Sequence, residues 1–107
     1  MAEPTLQQIF GANATQDATA ITISKADLIG LTADANNTGE SVLVSINLTA
    51  RDYLTEANYD SNIDQSIYLE DGLSSFTTRE DTAYRQDQIT INLTKIDTSS
   101  AINPDDY

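Results

Sequence analysis

The chain has 107 residues, a length typical of one domain, and its 17 acidic and 5 basic residues give a net charge of -12 at pH 7. This charge repels phosphate backbones and anionic lipid headgroups, so we expect no nucleic acid and no membrane among its partners. The sequence has neither Cys nor His, which excludes disulfides, thiolate metal sites and the commonest general base near neutral pH.

The N-terminal residues predict a short helical turn on an arm that spans residues 1–19. Pro4 suits a first-turn position, Leu6, Ile9 and Phe10 share one helical face, and Gly11 can end the helix. The start of the chain has no basic or apolar part of a signal peptide, and no segment reaches the roughly 20 apolar residues of a transmembrane helix. We therefore expect a soluble, unprocessed chain.

Alternating apolar and polar residues predict a β-rich domain over residues 20–96. The predicted strands lie at about 20–24, 42–50, 66–70, 73–78 and 88–96. Asp71-Gly72 predicts a tight hairpin turn between the third and fourth strands. A single helical turn closed by Gly30 is predicted after the first strand, and residues 79–87 are predicted to be a charged connection. The expected fold is mainly β, a small antiparallel sandwich-like domain with loose termini.

Residues 42–57 are also compatible with a helix. Leu43, Ile46, Ala50, Tyr53 and Leu54 fall on one face of a 3.6-residue period. The alternative fold is therefore α+β with a helix at about 40–57. The β-branched residues in 42–49 favour the strand, and so does the similarity of SINLTARD at 45–52 to TINLTKID at 90–97.

The last eleven residues, 97–107, form a polar C-terminal tail that contains few apolar side chains and ends in Tyr107. We expect this tail to be loose unless a partner holds it. Tyrosine combines a large apolar ring with a polar tip, and such residues are common in protein interfaces. Leu6, Ile9, Phe10 and Tyr107 are accordingly the predicted partner-binding residues.

One segment resembles the start of a calcium-binding EF-hand loop. Asp60, Asn62 and Asp64 provide oxygen atoms at the first, third and fifth of twelve positions. Gln65 occupies the sixth position, where the motif requires glycine, and Asp71 replaces the terminal Glu. We therefore predict no metal site and no cofactor, with these three residues as the weak candidates for calcium.

The carboxylate pairs Glu70-Asp71 and Glu80-Asp81 are the obvious candidates for acid–base catalysis on a sugar. Adjacent residues of a strand point to opposite faces, and both pairs lie beside predicted turns, so a solvated surface is the simpler interpretation. The four glycines are isolated, and no phosphate-binding loop is present. We predict that the protein is not an enzyme.

In its acidic, Cys-free, His-free and Thr- and Asn-rich composition, the chain resembles the small cement, or decoration, proteins of tailed bacteriophages. Its opening EPTLQQIFGANAT at 3–15 is similar to that of small proteins from cyanobacterial phages and their hosts. The resemblance implies a virion structural protein on the capsid surface, which binds and stabilises a lattice of the major capsid protein. We expect it to be a homo-oligomer.

Two alternatives stay open. One is another non-enzymatic protein-binding or assembly module, with a cytoplasmic location, and the other is a hydrolase or weak calcium-binding module. Extended arms favour the virion protein, a compact monomer with one exposed apolar patch favours the assembly module, and a cation bound at residues 60–64 favours the third hypothesis.

Overall fold

The computed structural model describes residues 3–97 and 101–107. Within them, the α-helices are α1 (Leu6–Phe10), α2 (Gly39–Arg51) and α3 (Glu56–Ser61). The strands are β1 (Thr15–Gln16), β2 (Ile21–Thr22), β3 (Ile67–Asp71), β4 (Ser75–Arg79), β5 (Thr82–Gln86) and β6 (Ile89–Leu93). Short 3₁₀ turns cover Lys25–Asp27 and Pro104–Asp106. All of these strands pair antiparallel. The domain contains both helices and strands, with more strand than helix, and the predicted mainly β class is confirmed.

The predicted strand over residues 42–50 is wrong, because this segment lies in α2, as the alternative interpretation expected. The Thr38 hydroxyl caps the helix by accepting the Ser41 N–H at 3.0 Å. Its buried residues are Ser45, Thr49 and Ala50, a helical spacing in which two of three are polar. Leu43 and Val44 are exposed instead. The apolar pattern therefore marks the buried face only in part, at Ala50 and, beyond the helix, at Leu54.

Ser45 and Thr49 are buried on α2 because both bind the backbone of Ile29. The Ser45 hydroxyl donates to the Ile29 carbonyl, and the Ile29 N–H donates to Thr49 Oγ1 at 3.0 Å. The Thr49 hydroxyl itself donates to the Ser45 carbonyl at 2.8 Å. These bonds attach the segment after the first 3₁₀ turn to the helix, and they supply the partners that buried hydroxyls require.

The four later strands form one long two-stranded ribbon. In it β3 pairs with β6 and β4 pairs with β5. Between the two paired regions, residues 72–74 lie opposite residues 87 and 88, so one strand has an extra residue, as in a β-bulge. A Cβ atom at Gly72 would lie 2.8 Å from Gln88 Cβ, which explains the glycine. The expected hairpin turn at Asp71-Gly72 is therefore wrong, because the chain bends there and continues.

The turn of the ribbon lies at Glu80-Asp81, where φ is 49° and 61°. Two positive φ angles between paired strands are the mark of a type I′ turn, which is normally made by Asn-Gly or Asp-Gly. The predicted connection over 79–87 therefore contains this turn and β5. The strands predicted at 66–70, 73–78 and 88–96 are confirmed as β3, β4 and β6 with shifted ends.

The other predicted elements are present in shorter form. The N-terminal helix is confirmed as α1, with a capping box between Thr5 and Gln8 and with Gly11 at its end. Pro4 precedes the capping residue Thr5, so its predicted place in the first turn is wrong. The strand predicted at 20–24 is reduced to β2, which pairs with β1 in the predicted N-terminal arm. The strands form three two-stranded sheets, of which β3–β6 and β4–β5 are the two parts of the ribbon. They do not form the expected sandwich, because helices α2 and α3 pack on β3 in place of a second sheet.

The core is small. Ala50, Leu54 and Leu69 form its buried cluster, and the partly buried Ile9 and Ile67 pack against it. The polar side chain of Gln65 is also buried, and its amide donates to the carbonyls of residues 55 and 67. No large side chain of the described residues is fully buried.

Candidate functional site: exposed apolar surfaces

The molecule exposes more surface than a chain of its mass normally does. Its accessible surface is 7947 Å², whereas a folded monomer of 11.6 kDa exposes about 5,800 Å². The radius of gyration is 16.2 Å, compared with about 13 Å for a compact domain of this length. Among the described residues, 14 large apolar side chains are exposed and 5 apolar residues are buried. Apolar surface is therefore available for contacts with other molecules.

The outer part of the ribbon, residues 72–88, is called the arm below. Every residue of β4 and β5 is exposed. The register places Phe76 and Arg85 on one face and Thr77 and Tyr84 on the other. Phe76 is 78% exposed, so an aromatic ring projects into solvent from a hairpin that no other described residue covers.

Polar contacts hold the base of the arm. The Asp87 carboxylate accepts from the Ser74 hydroxyl at 2.8 Å and from Arg85 Nε at 2.9 Å. The Ser74 hydrogen bond, followed by the Arg85 guanidinium, lowers the pKa of Asp87. On the other face, the Arg79 guanidinium lies 5.6 Å from the centre of the Tyr84 ring. The arm has a net charge of -1, so the rest of the chain carries -11.

An open groove of about 800 Å³ lies at the opposite end of the ribbon, beyond Ser66 and Thr94. Its apolar members Ile63 and Ile96 are 98% and 88% exposed. Asp60 contributes a carboxylate to the lining. The described part of the C-terminal tail borders the groove, where Lys95 Nζ donates to Asp106 at 2.9 Å and to the Ala101 carbonyl at 3.1 Å. Residues 98–100 of the tail lie outside the described residues.

Two aromatic rings adjoin this groove. The Tyr59 ring, which lines it, lies 4.9 Å from the Tyr68 ring on β3, measured between centroids. Desolvation, reinforced by the Glu56 and Glu70 carboxylates, raises the pKa of Tyr68. A tyrosine phenol is already neutral at physiological pH, so Tyr68 adds no negative charge at this end of the ribbon.

A third apolar surface, the α2 surface, consists of Ile29, Leu43, Val44 and Leu48. Leu43 and Val44 are 59% and 55% exposed. Ile29, Val44 and Leu48 line a shallow depression of about 220 Å³. The bonds from Ser45 and Thr49 to the Ile29 backbone fix its position, so its side chain stays exposed beside the helix.

The predicted partner-binding residues lie at separate places. Helix α1 packs against α2, and Ile9 contacts the core cluster, so Leu6, Ile9 and Phe10 are all partly buried. Tyr107 is exposed in the 3₁₀ turn at the end of the chain, and its N–H donates to the Pro104 carbonyl at 3.2 Å. Their role in binding stays a prediction, and more exposed apolar groups lie on the arm, in the groove and on α2.

The calcium candidates do not form a loop together. Asp60 lies in α3, Asn62 is the buried residue that ends this helix, and Asp64 is exposed. The Asn62 side-chain oxygen accepts the Asp64 N–H at 3.2 Å, while its amide nitrogen has no partner. Across residues 3–97 and 101–107, no group of three acidic side chains is placed to hold a metal ion.

The carboxylate pairs have structural contacts. Asp71 forms an ion pair with Arg51 at the end of α2, and Glu70 accepts from the Asn92 side chain at 3.2 Å across the ribbon. Glu80 and Asp81 are the two central residues of the ribbon turn. The structure does not bring these pairs together around a cleft.

Sequence reasoning missed the residues that form the groove and the arm. Ile63 and Ile96 are isolated isoleucines in polar segments, and they are 33 positions apart in the sequence. Phe76 was included in a predicted strand without a role in binding. A single apolar residue in a polar segment is a weak signal of a binding surface, because no apolar neighbours in the sequence indicate that it is buried.

Comparisons of the chain with models of protein families, with curated proteins and with solved structures find no match. In the part of the chain that the structure describes, no helix has the length and apolar character needed to cross a membrane. Function must therefore be argued from the surfaces of this molecule, and the resemblance to cement proteins stays a prediction.

Proposed function

We propose that this protein is a non-enzymatic structural protein that binds a repeating protein surface, as a cement or decoration protein of a tailed-phage capsid does. The observation that supports this proposal is the excess of about 2,100 Å² of exposed surface over that of a typical monomer. A specific protein interface buries about 800 Å² on each partner. The molecule therefore has surface for more than one protein contact.

The α2 surface is the face that we assign to the shell. It contains exposed apolar side chains of α2 and the side chain of Ile29, and the Ile29 backbone is held by two hydrogen bonds to α2. Complete burial of one aliphatic side chain contributes about 1.5–3 kcal/mol before the cost of association. Ile29, Leu43 and Val44 are only partly exposed, so a single contact of this surface is weak. A lattice of identical sites can strengthen it through avidity if one assembly carries several copies.

Helix α1 also packs on α2, where Ile9 contacts the core cluster. The predicted binding residues Leu6 and Phe10 are partly exposed on α1, and we include them in the proposed contact as a second apolar area. The proposed shell contact thus includes both the N-terminal segment and residues that the sequence patterns did not indicate.

Charge defines the complementary surface. At a net charge of -12, the protein repels other acidic surfaces and is attracted to neutral or basic ones. We therefore expect its binding site on the shell to be apolar at the centre and basic at the rim. The same negative charge repels the phosphate backbone, so we propose no nucleic-acid partner.

The experiment compares two variants in binding to purified heads of tailed cyanobacterial phages. Ile29→Ser/Val44→Ser removes apolar atoms from the α2 surface, and Ile21→Ser is the control because Ile21 is similarly exposed on β2. We expect the double variant to reduce co-sedimentation at least tenfold and to abolish protection of the heads against heat. The control is expected to bind as the unaltered chain does.

If the unaltered chain binds no head, the cement function is wrong and the broader assembly-module alternative takes its place. If it binds but the double variant binds equally well, the assignment of the α2 surface is wrong. Deletion of residues 101–107 tests the contribution of Tyr107 in the same assay.

A further inference from the structure

The arm has no covering layer from residues 3–97 and 101–107 of its own chain. A two-stranded hairpin is at best marginally stable in water unless further strands or a helix pack on it. All ten residues of β4 and β5 are exposed, including the Phe76 ring. A surface of another molecule over Phe76 would supply the missing layer.

The groove has exposed apolar walls, and among the described residues no apolar side chain covers Ile63 or Ile96. Ile63 and Ile96, the two most exposed large apolar residues among those described, both line it. Its volume of about 800 Å³ easily accepts an aromatic ring. Asp60 in the lining provides a negative charge for a cation that enters with that ring.

The arm and the groove cannot meet within one chain. The groove adjoins the Ser66 and Thr94 end of the ribbon, whereas Phe76 lies on the arm, beyond the paired β3 and β6. Ten residues of extended chain separate Ser66 from Phe76, a distance of about 30 Å. Two copies placed antiparallel about a two-fold axis would bring each arm to the other copy's groove.

Charge and area are both compatible with a second copy as the partner, provided that the arm makes the contact. Contact between the bodies of two copies, each with a charge of -11 outside the arm, is unfavourable, whereas the arm carries only -1 and presents Arg85 beside Phe76. Each chain would contribute one arm and one groove. Even two such contacts, at about 800 Å² each, remain within the excess of exposed surface.

We infer that the protein forms a two-fold symmetric dimer in which Phe76 of each arm inserts between Ile63 and Ile96 of the partner copy, with Arg85 near Asp60. This inference does not depend on the proposed shell binding. It involves the arm and the groove and leaves the α2 surface of both copies available.

Cysteine cross-linking tests the arrangement directly, because the chain has no cysteine of its own. We expect Phe76→Cys mixed with Ile63→Cys to give a disulfide-linked dimer under mild oxidation. Phe76→Cys mixed with Ile21→Cys is the control, and neither this mixture nor Phe76→Cys alone should cross-link efficiently. Efficient linkage of Phe76→Cys to itself would overturn the inference, since it would place arm against arm.

Sedimentation equilibrium without any shell provides the second measurement. We expect the unaltered chain to be a dimer and Phe76→Ser to weaken the dimer at least tenfold. Tyr84→Ser is the matched control on the other face of the arm and should leave the dimer intact. Helical circular dichroism of each variant checks that the body remains folded. A monomer at millimolar chain concentration, or a dimer unaffected by Phe76→Ser, contradicts the proposed interface.

Discussion

At the scale of single residues, Thr49 contributes to stability through two hydrogen bonds in a buried site. It accepts the Ile29 N–H and donates to the Ser45 carbonyl. Removing one partner of a buried hydrogen bond leaves the other without its bond and costs about 1–3 kcal/mol. Thr49 also helps to position Ile29, so its effect extends to the α2 surface.

We predict that Thr49→Val lowers the free energy of unfolding by about 1–3 kcal/mol, because valine keeps the shape of threonine but cannot replace the hydroxyl. Urea unfolding followed by circular dichroism measures the change. Thr78→Val is the control, since Thr78 is exposed on the arm and should change stability by less than about 0.5 kcal/mol. Equal effects of the two substitutions would show that the hydroxyl of Thr49 is unimportant.

A second residue-scale prediction concerns the titration of Asp87. Its pKa is lowered in the folded chain, by the Ser74 hydroxyl first and then by Arg85. The stabilisation associated with this lowered pKa is therefore present above the unfolded carboxyl pKa of about 3.9 and is lost as the pH falls through the folded value. We expect Ser74→Ala to raise the Asp87 midpoint in an NMR titration.

Asp17 is the internal reference for that titration. The backbone N–H groups of Thr19 and Ala20 lower its pKa, and Asp17 has no contact with the arm. Its midpoint should therefore be the same with and without Ser74→Ala. If the Asp87 midpoint is also unchanged, the Ser74 hydrogen bond does not exist in solution.

At the scale of elements, the turn of the arm has an unfavourable backbone conformation. Glu80 and Asp81 both have positive φ, which costs on the order of 1 kcal/mol for a residue other than glycine. The hairpin is therefore weakened at its tip as well as by its lack of cover. A partner that packs on the arm would offset both effects.

We predict that Glu80→Asn/Asp81→Gly increases the order of the arm, because Asn-Gly is the favoured pair in type I′ turns. Amide hydrogen exchange in β4 and β5 should slow about three- to tenfold. The same pair introduced by Ala35→Asn/Asn36→Gly is the control, since residues 35 and 36 form a turn without positive φ. Faster exchange in the arm of the first variant would contradict the assigned turn.

At the scale of the whole molecule, a small core coexists with a large exposed apolar surface. Such a chain gains stability when a partner covers that surface, and a self-associating protein becomes more stable as its concentration rises. The melting temperature therefore reports on assembly as well as on the core.

We predict that the melting temperature rises by about 3 °C for each tenfold increase in chain concentration, the size expected for a dimer that unfolds to two monomers. Differential scanning calorimetry over two decades of concentration measures this slope. Phe76→Ser should remove most of it. A concentration-independent melting temperature for the unaltered chain would mean that it unfolds as a monomer.

Several elements could be predicted from local sequence alone. The ends of α1 follow from Thr5, Gln8 and Gly11, whose capping and backbone preferences act within a few residues. The β3, β4 and β6 strands follow from local alternation and β-propensity. The charge of -12 and the absence of Cys and His likewise follow from composition and limit the chemistry of any site.

Tertiary contacts decided the remaining elements, and one tetrapeptide demonstrates this. The sequence INLT occurs at 46–49 and at 91–94. The first copy is helical in α2, where Thr49 binds the Ile29 backbone, and the second begins in β6, where Ile91 pairs with Leu69. Because local preferences are identical in both copies, the difference arises from flanking residues and long-range partners. The groove depends on the same kind of contact, since only the paired ribbon brings Ile63 near Ile96.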